Sequence, residues 1–221
     1  MAGTRRARSE AAKEARRASI CAAALALFQE RGYAEVTMAR VARHAGLAKG
    51  TLYLYFPTKE ALFLALLVER VEDLFGCIQR DLSALPPGSS PEHVAALLSR
   101  SLLDRPVVVD LLTLLHLVLE QNLDVDTARA FKLTLYGLVA VAGAALERAL
   151  PGLAAGEGAL AFLRVHALVV GLGQMSRITP VLEEVMSTPP LSDVRFNLEL
   201  ELEPTLAALL RGMLRNEAGR R

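Results

Sequence analysis

The chain has 221 residues, 52% of them hydrophobic, with 25 Lys and Arg against 24 Asp and Glu. That length allows one large domain or two small ones, and the apolar share is enough to bury a substantial core. The balance of charge is uneven along the chain: residues 1–60 carry eleven basic side chains against five acidic, the remainder fourteen against nineteen. A basic head on an acidic body predicts a polyanion as partner of the head alone.

Two cysteines, Cys21 and Cys77, are too few for a disulfide framework. The charged opening lacks the apolar run of a secretory leader. The longest apolar stretches, near 106–119 and 165–175, are interrupted by Asp110, His116, His166 and glycines, so neither predicts a membrane span. Together these features predict a soluble, reduced, cytoplasmic protein with no membrane partner.

Residues 1–9 read as a flexible basic arm. From there apolar residues recur three and four apart, Ala and Leu dominate, and no run alternates like a strand. Gly32, Gly46, Pro57, the Pro-Gly-Ser segment 85–91, Pro106, Pro151, Pro180 and Pro189-Pro190 punctuate the pattern. The expected helices fall near 10–31, 37–45, 48–55, 58–84, 92–103, 107–121, 125–149, 156–177 and 193–214, with a short turn at 180–187. The fold class is all-α. Three short, tightly linked helices form a head over residues 10–65, and longer apolar helices form a body over 66–221.

The informative stretch is 37–59. Thr37 is an N-cap for a helix whose Met38, Val41, Ala42 and Ala45 face inward. Gly46 supplies the positive φ that the tight turn of a helix-turn-helix needs, and Leu47 plugs that turn into the core. In the next helix Leu52 and Phe56 stand four apart and face their neighbours. Lys49, Gly50, Thr51, Tyr53 and Tyr55 occupy the other face, which has no acid. Tyr53 and Tyr55 either read DNA or sit in the core with wet hydroxyls. Gly50 near a helix start costs roughly 1 kcal/mol against Ala, and close backbone approach to a phosphate is a reason to keep it. Lys59 stands in the first turn of a helix, where the macrodipole disfavours a cation and favours a phosphate. It is either a phosphate ligand together with Thr58 or a solvated residue compensated by Glu60.

These positions, with Ile20–Phe28, Arg31-Gly32-Tyr33, Ala45-Gly46-Leu47, Lys49-Gly50-Thr51-Leu52-Tyr53 and Lys59-Glu60-Ala61-Leu62, make the chain resemble the TetR family of bacterial transcription regulators. The resemblance is close over roughly 15–65 and architectural beyond. It implies an all-helical homodimer whose heads meet double-stranded DNA at a palindromic operator. By that resemblance Thr37 and Arg40 meet phosphate or a base edge, Lys49, Gly50, Thr51, Tyr53, Leu54 and Tyr55 enter the major groove, and Lys59 binds backbone. Ala48 departs from the family, which commonly has a capping Ser there. Leu54 fills a variable, often polar position and suits a thymine methyl better than a hydrogen bond. The arm's Arg5, Arg6, Arg8, Lys13, Arg16 and Arg17 either reach DNA or are simply solvated.

The body reads as a ligand-sensing and dimerisation bundle. One apolar face runs through Leu160, Leu163, Ala167, Val170, Gly171 and Gln174, another through Val194, Leu198, Leu202, Leu206, Leu209 and Leu210. Paired with a symmetry mate they would make a four-helix interface, unless both pack within one subunit. His116, Phe131, Tyr136, His166, Gln174 and Met175 are candidates to line a pocket for a small, hydrophobic or amphipathic effector, or else core residues. His44, His93, His116 and His166 lack metal spacing, and no metal or cofactor is expected. No nucleophile motif, phosphate loop or Glu-x-x-His pair suggests an enzyme. The expected function is a ligand-released repressor; an activator of the same fold and a helical scaffold are the alternatives.

Overall fold

The computed structural model describes residues 2–177, 179–194 and 196–218, all helix, turn or connection and no strand among them. Ten α-helices are present among these residues: α1 (Ala2–Glu35), α2 (Met38–His44), α3 (Lys49–Tyr53), α4 (Lys59–Ala84), α5 (Pro91–Leu103), α6 (Pro106–Leu114), α7 (Val125–Ala149), α8 (Glu157–Met175), α9 (Pro180–Val185) and α10 (Leu198–Ala218). The side chains of 1–9, where Arg5, Arg6 and Arg8 fall, lie outside the described residues. The backbone of 2–9 continues α1 where a flexible arm is expected; Ala and Arg are strong helix formers, and no proline stops the helix. Its regular turns end at Gly32, with φ 74° and ψ 167°.

Side-chain caps set several starts. Ser90 Oγ accepts from the His93 amide at 3.1 Å, ahead of Pro91 in the first turn of α5. Asn197 Oδ1 accepts from the Glu199 amide at 2.8 Å, which starts α10 at Leu198, not near 193. The expected helix to 121 is shorter, because α6 stops at Leu114 and gives way to a π turn, Leu115–Leu119, and a 3-10 turn, Glu120–Asn122. Leu115 and Leu119 are buried in that segment.

The chain divides into two compact units, Met1–Glu69 with Leu115–Ala128, and Arg70–Leu114 with Arg129–Arg221. The division thus falls inside α4, four residues past the expected domain end at 65, and assigns a distant segment to the first unit. That unit is cored by Ile20, Ala24, Phe28, Val41, Leu52, Phe56, Leu62, Phe63 and Leu66. Phe63 meets Phe28 edge-on at 5.5 Å between centroids and Tyr33 at 4.8 Å, the geometry the ring quadrupoles prefer.

In the second unit α10 packs on α5 and α8, and α6 packs on α8. Leu202, Leu206 and Leu210 of α10 are buried within the subunit. This corrects the expectation that they face a symmetry mate: the 3.6-residue period shows that a helix has an apolar face, not what covers it. On α8, by contrast, Leu160, Leu163, Ala167, Gly171 and Gln174 are exposed, while Ala161, Phe162, Val165 and Val169 are buried. The side chain of Val194 lies outside the described residues. By length and mean hydropathy of 1.4, α7 and α8 each reach the apolar content of a membrane span, with a third of each window buried. His166, Gly171 and Gly173 do not interrupt α8, where they are ordinary helical positions.

Two glycines let α7 and α8 meet backbone to backbone. A Cβ on Gly143 would lie 2.6 Å from the Ala159 nitrogen, and one on Gly158 would strike the Gly143 carbonyl. Gly158→Ala is therefore expected to destabilise the protein by about 1–3 kcal/mol, seen as a lower urea midpoint. Gly212→Ala, which meets open space on α10, is expected to gain up to about 1 kcal/mol. Equal midpoints for the two variants would contradict the close approach.

Candidate nucleic-acid interface

The site is built on a turn. Thr37 is extended at φ −122°, ψ 151°, and its Oγ1 accepts from the Arg40 amide at 3.3 Å. The cap leaves the exposed hydroxyl free to donate. Met38, Val41 and Ala42 bury the inner face of α2. At its far end Gly46 takes φ 67°. The Leu47 amide donates to Ala42 O at 2.8 Å and the Gly46 amide to Arg43 O at 3.2 Å. This pair of bonds satisfies carbonyls that a helix end leaves open, and it requires the left-handed residue that glycine supplies.

The turn leads into α3, only five residues long. Ala48 precedes it with no side-chain cap, so the missing hydroxyl is not replaced by another side chain there. Leu52 and Phe56 are buried, which fixes the rotation of the helix. Lys49, Gly50, Tyr53 and Leu54 are consequently exposed, and Thr51 and Tyr55 half-buried. Tyr53 is 42% exposed with the Lys49 ammonium 5.8 Å from its ring centre. Leu54 is 85% exposed. Nothing lies within 4 Å of where a Cβ on Gly50 would be, so the glycine leaves an open notch in this face. Between Glu35 and Glu60 the chain has no acid, but it has Arg40, Arg43, Lys49 and Lys59.

Two of the expected DNA ligands are held by the protein's own acceptors. Arg40 Nη1 donates to Glu35 O at 2.6 Å and to Glu35 Oε2 at 3.1 Å, an exposed pair. The Lys59 Nζ donates to Tyr33 O at 2.5 Å and lies 3.7 Å from the centre of the Tyr33 ring. Burial pushes the Lys59 ammonium below its ordinary pKa, against the opposing pull of the Glu60 and Glu35 carboxylates. The Tyr33 hydroxyl donates to Glu60 Oε1 at 3.2 Å, and burial followed by the Glu60 charge keeps that phenol protonated well above its usual range. Thr58 Oγ1 accepts from the Ala61 amide at 3.0 Å and so caps α4.

Other residues were invisible to pattern reading. Arg17, expected either to reach DNA or to be solvated, stacks over Phe56 at 4.6 Å, a cation–π contact that a helix-to-helix approach creates. Arg43 and His44, exposed in the last turn of α2, line a groove with Leu27, Glu30, Arg31 and Arg40. Their signal was present as basic residues on the α2 surface, but nothing in the spacing distinguished them from a solvated face.

The expected effector residues differ in their exposure. His116 lies in the first unit, exposed and paired with Glu120 Oε2 at 2.9 Å. In the second unit Phe131 is buried, Tyr136 is 74% exposed, His166 is half-buried, and Gln174 and Met175 are exposed. A cavity of about 630 Å³ lies elsewhere in that unit, with Leu102, Leu103, Pro106, Val109, Asp110, Ser176 and residues 196–200 as its walls. None of the six candidates lines it. Asp110 is ion-paired with Arg177 there. Among the described residues no cluster of His, Cys, Asp and Glu could hold a metal ion.

A family model described as bacterial regulatory proteins, tetR family, matches residues 20–66, and one described as tetracyclin repressor-like, C-terminal domain, matches residues 65–217. The HTH-type transcriptional regulator BetI 2 of Chromohalobacter salexigens is 34% identical over 83 residues, 38% of this chain and 40% of that protein. The HTH-type transcriptional repressor KstR of Rhodococcus jostii is 38% identical over 93 residues, 42% of each chain. The matches therefore span about two-fifths of these curated relatives. Among solved structures, the fatty acid degradation regulator FadR from Bacillus halodurans has a similar fold, with a TM-score of 0.58 at 20% identity over 90% of this chain and 96% of that one.

The open notch at Gly50 makes a separable test. Gly50→Ala is expected to keep or raise the melting temperature, since alanine is the better helix former by about 1 kcal/mol. It is expected to weaken duplex DNA binding about tenfold, because a methyl group then stands where the backbone would approach. Unchanged affinity in a stably folded variant would show that the notch has no part in binding.

Proposed function

The chain belongs to the tetR family of bacterial regulatory proteins, and we propose that it is a homodimeric transcriptional repressor released from a palindromic operator by a small ligand. The carrying observation is the exposed face of α3, which carries no acid, hung on a helix pair anchored by buried Met38, Val41, Ala42 and Leu52. Lys49, Gly50, Thr51, Tyr53, Leu54 and Tyr55 would enter the major groove, with Thr37, Arg40 and Lys59 on the phosphates. Both chemistries are needed, since phosphate contacts give position and affinity while base edges give sequence.

The cations held within the head suit this role. An exposed pair such as Arg40 with Glu35 is worth only about 0–1 kcal/mol, so a phosphate can replace the carboxylate at little cost. Lys59 has three donors, and the Tyr33 carbonyl uses one. The Tyr33 ring and carbonyl thus hold the ammonium at the start of α4 before DNA arrives, where the helix amides also favour an anion. In the cytoplasm two such heads would sit about 34–36 Å apart to reach successive major grooves.

For the effector, the 630 Å³ cavity is of ligand size, within the roughly 300–1,000 Å³ usual for small molecules. Its leucines, Pro106 and Val109 suit an apolar moiety, and Glu199 suits a polar or cationic end, Asp110 being already paired with Arg177. A ligand would release DNA only through higher affinity for the arrangement that does not fit the operator.

The test is duplex binding at physiological salt. A palindrome selected from random duplexes is expected to bind at least about 10³-fold more tightly than random sequence; equal affinity would sink the reading. Lys59→Ala is expected to weaken binding to all sequences alike and to lower the salt slope by about one. A slope that stays at the wild-type value would remove Lys59 from the phosphate contacts and leave it a purely internal bolt.

A further inference from the structure

We infer that Leu54 reads the methyl group of a thymine in the major groove and so specifies one base of each operator half-site. The inference rests on the reading that α3 enters that groove. Leu54 is the most exposed of the large hydrophobic side chains among the described residues, at 85%. A lone exposed leucine is ordinary on a protein surface; the place of this one is not. It stands two residues from each of the buried anchors Leu52 and Phe56, which turn it outward. It is one helical turn beyond Gly50, and residues four apart share a helix face. Because Gly50 has open space around it, no side chain stands one turn before Leu54 to hold it off a flat surface. The surrounding stretch, 36–59, contains no acid that would repel DNA.

The chemistry of the groove then selects the partner. Every base pair shows polar donors and acceptors on its major-groove edge, and thymine alone adds an apolar methyl. Leucine has no donor or acceptor, so against any other edge it would strip water from a polar group and give nothing back. Against a thymine methyl it buries apolar surface on both sides. Thr51 and Tyr53 on α3, and Tyr55 just beyond its end, can form the hydrogen bonds that Leu54 cannot. Leu54 is therefore the one apolar reader on an otherwise polar face.

The experiment uses the full-length protein and its preferred duplex, selected from a random pool. Each thymine is replaced singly by deoxyuridine, which removes only the methyl. Wild-type protein is expected to lose about fourfold in affinity at one thymine per half-site, the worth of one buried methyl. Leu54→Ala, altered at a solvent-exposed position, is expected to fold with an unchanged circular-dichroism melt and to be indifferent to deoxyuridine at that thymine. A preferred duplex in which no thymine methyl matters would overturn this inference and leave the DNA-binding reading intact. So would methyl dependence that persists in Leu54→Ala. Failure to select any preferred duplex would overturn both.

Discussion

A helix of five residues has no means of holding itself together in water, because nucleation fixes several residues for each hydrogen bond gained. α3 exists because Leu52 and Phe56 are buried in the first unit and because the Gly46 turn delivers the chain at the right angle. That dependence has a consequence for function. Since two buried residues carry the helix, the exposed Lys49, Gly50, Tyr53 and Leu54 are free of core packing, and that outward face can be chosen for what it touches. The exposed Leu54, the open Gly50 and the half-buried Thr51 and Tyr55 all follow from where Leu52 and Phe56 point.

The second organising feature of the head is the knot at Tyr33. Its carbonyl takes the Lys59 ammonium, its ring lies under the same charge and against the edge of Phe63, and its hydroxyl donates to Glu60. Four interactions on one residue tie the end of α1 to the start of α4, and they keep a cation beside the amides of a helix N-terminus. That placement opposes the macrodipole unless something negative offsets it; Glu60 and Glu35 do so in the free protein. Arg40 is handled in the same way by Glu35. Arg40 and Lys59 are thus held in an ordered, partly neutralised form, and exchanging those partners for a polyanion would carry little ordering cost for these two side chains.

The body follows a different logic, in which packing between distant helices decides everything of interest. α10 places Leu202, Leu206 and Leu210 within the subunit, with α5 and α8 as its neighbours, while α8 leaves Leu160 and Leu163 uncovered. Both helices show the same kind of apolar period. The close approach at Gly143 and Gly158 joins α7 to α8 in a way that no single-helix pattern encodes. The cavity between α5, α6, the end of α8 and the start of α10 is likewise made by four separate pieces of chain.

What the sequence determined by itself was therefore local. Helix limits followed from Thr37, Gly46, Pro106 and Pro180, because caps and breakers act over three or four residues. The inner and outer faces of α2 and α3 followed from spacing, and the basic character of the head from composition. Tertiary structure decided the rest. Arg17 stacks on Phe56 and Lys59 is bound to Tyr33, contacts between residues 39 and 26 positions apart. Tyr136 and Phe131, chosen alike as polar or aromatic marks on one helix, end up exposed and buried respectively. A sequence period tells which side of a helix is apolar, but only the approach of another helix tells whether that side becomes core, cavity wall or open surface.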